Sequence, residues 1–253
     1  MPLLGLGVWQ MAVGDETEQA VEWALEAGYR HIDTASLYRN EQSVGAALGR
    51  SGLPREQVFV TTKLMPARPN AERELQRSLE RLGLGYVDLY LIHFPVPGTT
   101  RRHWATLDRL PERGLARAIG VSNFGRERLS KLTAAGSRKP AVNQVQLSPL
   151  HYRRALLDYC AREGIAVEAY SPLERGRALT NPTIAAVAER MGRTPAQVML
   201  RWAIQHGALV IPKSSNRERI RSNALIFDFE LDQEAMRDLD ALDTTGGTAH
   251  ARG

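Results

Sequence analysis

Val87-Asp88-Leu89-Tyr90-Leu91-Ile92-His93 decides the fold: a short, nearly all-apolar run that ends on a polar residue. Strands buried on both faces read this way, and they belong to parallel sheets covered by helices. Outward from it, β-rich segments recur at Leu3–Val8, Tyr29–Asp33, Val58–Lys63, Ala116–Ser122, Ala141–Val145, Ala166–Tyr170 and Ala208–Ile211. Their spacing is mostly about 25–30 residues, the period of a strand–helix unit.

The intervening segments carry helix punctuation. Asp15-Glu16-Thr17-Glu18 fits a capping box, Val21, Ala24 and Leu25 make one apolar stripe, and Gly28 stands where a C-terminal glycine belongs. Asn70 precedes a helix with Leu75, Leu79 and Leu82 on one face and Gly83 at its end. Asn181-Pro182 and Thr194-Pro195 each put a capping side chain before a proline at the first helical position, and Gly192 and Gly207 stop those helices. No linker divides the chain, so residues 1–253 read as one domain, with 243–253 as a flexible tail. Eight strand–helix units favour closure into a (β/α)8 TIM barrel over an open sheet. The absence of G-x-G-x-x-G after a strand weakens a dinucleotide-fold alternative.

Composition sets further bounds. The chain has 253 residues, 43% of them hydrophobic and 24% charged, which excludes disordered and collagen-like classes. No apolar run reaches the roughly 18 residues of a membrane-spanning helix, and the apolar start has no basic n-region, so no membrane partner or signal peptide is expected and the cytoplasm is the default. A single cysteine, Cys160, excludes an internal disulfide framework; it sits on an apolar helix face and reads as packing, as do Trp23 and Trp202. His31, His93, His103, His151, His206 and His250 lack metal-ligand spacing, so no metal is expected. The net charge of +5 is carried by arginines scattered along the chain, which disfavours a nucleic-acid surface but suits a small phosphorylated ligand. Only four basic residues are lysines: Lys63, Lys131, Lys139 and Lys213.

In a barrel, chemistry sits at the C-terminal ends of the strands. The second strand ends at Asp33 with Tyr38 five residues on; the third ends at Lys63; the fourth at His93. Adjacent strand ends share one rim, so these four side chains converge although they are far apart in sequence. A free tyrosine has a pKa of about 10, and a neighbouring ammonium pulls it down. A carboxylate holds that ammonium, and a histidine orients a substrate oxygen. This is the equipment for protonating a developing alkoxide, with the hydride supplied by a cofactor.

The chain resembles the aldo-keto reductases over nearly its whole length, and within them the small microbial reductases of the diketogluconate reductase type. The resemblance is carried by G-L-G-V-W (Gly5–Trp9), R-H-I-D-T-A-x-x-Y-x-N-E (Arg30–Glu41), V-F-V-T-T-K (Val58–Lys63), D-L-Y-L-I-H-F-P (Asp88–Pro95), I-G-V-S-N-F (Ile119–Phe124), N-Q-V-Q (Asn143–Gln146), Y-S-P-L (Tyr170–Leu173) and I-P-K-S (Ile211–Ser214). It implies a TIM barrel that reduces aldehydes and ketones with NADPH, forming NADP+, and works as a monomer on a small-molecule carbonyl substrate. By carry-over, Tyr38 is the general acid, Lys63 and Asp33 tune it, and His93 positions the carbonyl. Ser122, Asn123 and Gln144 match the residues that hold the nicotinamide carboxamide, and Tyr170 the aromatic that stacks on the ring. Ser171 and Leu173 fall in the loop over the pyrophosphate. Lys213, Ser214 and Arg219 match the 2′-phosphate site, and Asn223 an adenine contact.

Ser215 with Glu218 fits a capping box opening a helix whose N-terminus suits a phosphate. Trp9, Phe94 and Trp104 are the expected aromatic walls of an open substrate pocket. Most of the family's N-terminal hairpin, which closes the barrel bottom, is missing here, and Ser222, Ser148 and Phe94 stand where a glutamate, a histidine and a tryptophan are usual. A second function class stays open: an NADPH-binding regulatory or sensor protein with slow turnover.

Overall fold

The computed structural model describes residues 1–134 and 138–245. Eight strands form one parallel sheet in chain order: β1 (Leu6–Gly7), β2 (His31–Asp33), β3 (Phe59–Leu64), β4 (Val87–Ile92), β5 (Ala116–Ser122), β6 (Val142–Gln146), β7 (Ala166–Tyr170) and β8 (Ala208–Ile211). A parallel bridge from Leu4 to Val210 joins the first strand to the last, with the Gly5 amide donating to Val210 O at 2.9 Å and the Val210 amide to Leu3 O at 2.9 Å. The sheet is therefore a (β/α)8 barrel.

Helices lie between the strands: α1 (Asp15–Glu26), α2 (Glu41–Arg50), α3 (Ala71–Leu82), α4 (Thr100–Leu107), α5 (Arg126–Thr133) and α6 (Arg154–Glu163) follow β1 to β6 in turn. After β7 come α7 (Pro182–Met191) and α8 (Pro195–Gln205), and after β8 come α9 (Arg217–Ala224) and α10 (Gln233–Asp240). The punctuation works as read in most of them. Asn70 accepts from the Arg73 amide, Asn181 from those of Thr183 and Ile184, and Thr194 and Gln197 form a reciprocal capping box. Gly83 and Gly192 close α3 and α7 in the left-handed region.

Two capping readings are corrected. The residue at the cap of α1 is Gly14, which has no side chain to offer; Asp15 is already helical, and Glu16 folds back to accept from the Ala12 amide at 2.8 Å. The cap of α9 is Asn216, which accepts from the Arg219 amide at 2.9 Å, one residue beyond the expected Ser215. In both, tertiary position decides where the first helical turn begins, one residue earlier than read at α1 and one later at α9.

Period-two alternation divides the strands into inward and outward sets. Outward residues such as Val60, Tyr90 and Ile92 pack with the helices in the main apolar core, whereas Leu89, Leu91 and Val142 form a separate small cluster with Phe59 and Ala118. Above it, the inward set turns polar: His31, Thr61 and Glu168, then Asp33, Lys63 and Gln144, all buried. The glycines of the opening G-L-G make this possible. A Cβ on Gly5 would stand 2.6 Å from His31 Nδ1, and one on Gly7 2.9 Å from Ile211 O. Cys160 and Trp202 are buried as expected, and Trp23 is half-buried.

Most of the tail expected to be flexible, residues 246–253, lies outside the described residues. The described part is anchored: the Thr244 amide and hydroxyl both donate to Leu150 O, at 3.1 and 2.9 Å, and the Tyr152 amide donates to Asp243 Oδ1. Among the described residues no helix is long and apolar enough to cross a membrane, and no cluster of His, Cys, Asp and Glu could hold a metal ion.

Candidate active site

Asp33 ends β2, Lys63 lies one residue before the end of β3, and His93 follows β4 directly. Tyr38 closes the 3-10 turn Ser36–Tyr38, which leans on β3 through a bond from Ser36 Oγ to Lys63 O. Lys63 Nζ donates to Asp33 Oδ1 at 2.6 Å, to Thr34 O at 2.9 Å and to Tyr38 Oη at 3.2 Å. The Tyr38 and His93 rings meet edge-on with centroids 5.6 Å apart. The structure thus brings Asp33, Tyr38, Lys63 and His93 together at the top of the barrel. Lys63 lies beneath; Asp33, Tyr38 and His93 line the cavity above.

The electrostatics depart from the sequence reading at Tyr38. Burial raises its pKa and outweighs the pull of Lys63 downward, so the group rests as a protonated phenol. Burial also works against charge on Lys63, but Asp33, in contact at 2.6 Å, more than compensates and holds it above the ordinary lysine value. Asp33 is lifted by burial against the opposing pull of Lys63 and the Gln144 amide.

His93 is pushed down to about 3, by burial first and then by Lys63, so it is neutral. Its Nδ1 is buried without a partner. The tautomer that leaves a lone pair unpaired there, rather than an N–H, puts the hydrogen on Nε2.

His31 is likewise held at about 3 by burial and Lys63. Between pH 6.5 and 3 the unfolded chain binds protons at both histidines that the native state refuses. Stability from each is therefore present above 6.5 and is lost as pH falls, by up to about 1.4 kcal/mol per pH unit. His31→Gln is expected to flatten the urea-denaturation stability profile by that slope between pH 6 and 4; an unchanged slope would show that His31 titrates normally.

A cavity of about 980 Å³ opens over this group. Its lining takes Trp9, Leu37, Tyr38, His93 and Phe94 from the loops after β1, β2 and β4, and Ser122, Asn123, Gln144 and Tyr170 from the ends of β5, β6 and β7. Ser171 and Leu173 line it from the loop after β7, and Lys213, Ser214, Arg219 and Asn223 from the chain after β8. Asn123, with φ of 64°, is held in a left-handed turn by Nδ2 donating to His93 O at 3.1 Å and by Tyr170 Oη donating to its Oδ1 at 2.8 Å. Arg219 has no side-chain hydrogen bond or ion pair among the described residues, and Lys213 is held only loosely, 3.7 Å from Glu16 Oε1.

Trp104 is corrected. It lies on α4, 2% exposed, with its indole donating to Arg138 O at 3.2 Å, and it is not among the cavity-lining residues.

Three features escaped the sequence reading. Glu174 is buried with φ of 50°, accepting from His151 Nδ1 at 2.9 Å and also from Ser148 and Gln146. It fixes the turn that carries Arg175, whose guanidinium lies over the Trp9 ring at 4.6 Å and links the loops after β1 and β7 at the cavity. Glu41 is buried between α2 and the outer face of β3, accepting from Thr62 Oγ1 at 2.6 Å and pairing with Arg81 of α3. Glu168 sits on β7, and its signal was a lone acid inside the apolar run Ala166–Tyr170.

The sequence model of the Aldo/keto reductase family matches residues 3–244. A 9,11-endoperoxide prostaglandin H2 reductase of Trypanosoma cruzi is 47% identical over 96% of this chain and 88% of its own. A crystal structure of an aldo/keto reductase from Brucella melitensis superposes with a TM-score of 0.92 at 42% identity, covering 96% of this chain and 95% of the other. A Bombyx mori aldo-keto reductase solved in complex with NADP gives a TM-score of 0.88 at 36% identity, over 96% and 89% of the two chains.

Proposed function

This chain belongs to the aldo/keto reductase family, and on that premise we propose that it reduces small aldehydes and ketones to alcohols with NADPH, Tyr38 serving as the general acid. The observation that carries the reading is Lys63 Nζ, held between the Asp33 carboxylate and Tyr38 Oη directly below a cavity.

The cavity residues fit a nicotinamide dinucleotide. Amide and hydroxyl groups of Ser122, Asn123 and Gln144 suit a carboxamide, Tyr170 offers a ring face, and the chain after β8 offers cationic side chains to a phosphate. Ser171 and Leu173 would lie along the pyrophosphate; Lys213, Ser214 and Arg219 would hold the 2′-phosphate; Asn223 would meet the adenine. When bound, the reduced nicotinamide supplies the hydride. His93, neutral and carrying its hydrogen on Nε2, donates to the substrate carbonyl oxygen and orients it. Tyr38 then gives its phenolic proton to that oxygen as negative charge develops there. Lys63 offsets the charge left on the phenolate, and Asp33 keeps the ammonium in place. Trp9 and Phe94 give the substrate end of the cavity apolar walls.

The test is steady-state reduction of small aldehydes, methylglyoxal and nitrobenzaldehyde among them, followed by the absorbance of NADPH and then NADH. Turnover with NADPH is expected. Tight NADPH binding without turnover would instead favour a regulatory or sensor role.

Cofactor choice has its own test. Arg219→Ala removes a charge-assisted contact worth about 1.5–3 kcal/mol, so NADPH should bind at least about tenfold more weakly while NADH is barely affected. Equal losses for the two would place Arg219 away from the 2′-phosphate.

A further inference from the structure

The geometry points to Glu168 as a positioning residue for the nicotinamide: together with Asp33 it holds both amide N–H groups of Gln144, so that Gln144 presents its oxygen, and only its oxygen, to the cofactor. This inference rests on the proposal that the cavity binds a nicotinamide dinucleotide.

Gln144 Nε2 donates to Asp33 Oδ2 at 2.8 Å and also to Glu168 Oε2. A primary amide nitrogen has two N–H groups, and here both are taken. The Gln144 oxygen has no protein partner among the described residues, and the side chain lines the cavity. One hydrogen bond would leave the amide free to rotate about it. Two bonds from the same nitrogen, to acids on β2 and β7, fix its plane.

An acid at this place is costly unless it has a use. Glu168 is fully buried, and its other oxygen lies 3.5 Å from His31 Nε2 with no hydrogen-bond partner. A leucine or valine would fill the same space without that penalty. Burial, with Asp33 adding to it, pushes the Glu168 carboxyl up to about 8, so near neutral pH it is an uncharged acid. The groups around it are Gln144 from β6, His31 and Asp33 from β2, and Thr61 and Lys63 from β3; His31 is neutral. Glu168 serves as the hydrogen-bond acceptor for one amide N–H of Gln144 and Asp33 for the other.

The experiment compares two ligands by fluorescence titration. NADPH contains the nicotinamide, and adenosine 2′,5′-bisphosphate contains only the far end of the molecule. The wild-type protein should bind both; if it binds neither, the cofactor reading falls and this inference with it. Glu168→Met keeps the volume and loses the acceptor. It should weaken NADPH about five- to tenfold and leave the bisphosphate within about twofold. Glu168→Gln, which keeps an oxygen facing Gln144, should restore NADPH affinity to within about twofold of wild type. Glu168→Asp keeps the acid but draws it back by one methylene, and should show the same selective loss to a smaller degree; it decides the matter if the methionine variant does not fold. Unchanged NADPH affinity, an equal loss of both ligands, or a glutamine variant as weak as the methionine one would each overturn the assignment.

Discussion

Tyr38→Phe is expected to lower kcat/KM for aldehyde reduction by about 10³-fold while NADPH affinity stays within about twofold. The substitution removes one oxygen. The phenyl ring keeps its edge contact with His93, and Lys63 Nζ keeps Asp33 Oδ1 and Thr34 O as partners, so neither fold nor cavity shape has reason to change. What disappears is the proposed proton donor. With burial holding the phenol protonated against the pull of Lys63, Tyr38 is loaded for donation at neutral pH. Among the described residues no other side chain on the cavity is so placed: His93 is neutral, and on the proposed mechanism it keeps its hydrogen to orient the carbonyl. A rate within about tenfold of wild type would mean that water or His93 supplies the proton, and the general-acid assignment would fall.

The barrel was legible because eight β-rich segments recur at a strand–helix spacing, several of them nearly all apolar, and β4, with all six residues buried, is the clearest of them. Convergence of Asp33, Tyr38, Lys63 and His93 followed from strand adjacency alone, since a parallel barrel lines up consecutive strand ends. The direction of the Tyr38 shift did not follow. It depends on how much solvent the folded chain removes from the phenol, and counting charged neighbours misses that cost. Trp104 failed for a related reason: helix α4 begins at Thr100 and carries the indole into the core. Glu174 and Arg175 were illegible because their roles depend on left-handed backbone at two non-glycine residues, a conformation sequence does not announce. Glu168 was visible as an oddity, but its use needs Gln144, 24 residues away, to be seen against it.

The buried ion pair gives the largest stability effect. Lys63 and Asp33 are 0% and 2% exposed, and Lys63 Nζ is the one cation within hydrogen-bond reach of Asp33 among the described residues. Replacing a buried pair with well-packed apolar groups is often harmless, but removing one partner leaves an uncompensated charge and costs about 3–5 kcal/mol. Lys63→Met is therefore expected to lose about that much in urea denaturation near neutral pH, besides its turnover. The loss has a sign with pH. Burial already lifts Asp33, and without the ammonium its folded pKa moves further up. A carboxyl raised in the folded state contributes stability that is present below its ordinary pKa and is lost as pH rises through the folded value. The variant should therefore fall further below wild type at pH 8 than at pH 5. Adding Asp33→Asn removes the charge, keeps an oxygen for the Gln144 amide, and should recover part of the loss, most of all at pH 8. A deficit equal at both pH values, with no recovery in the double variant, would mean that Lys63 stabilises the barrel through packing of its stem and not through its charge.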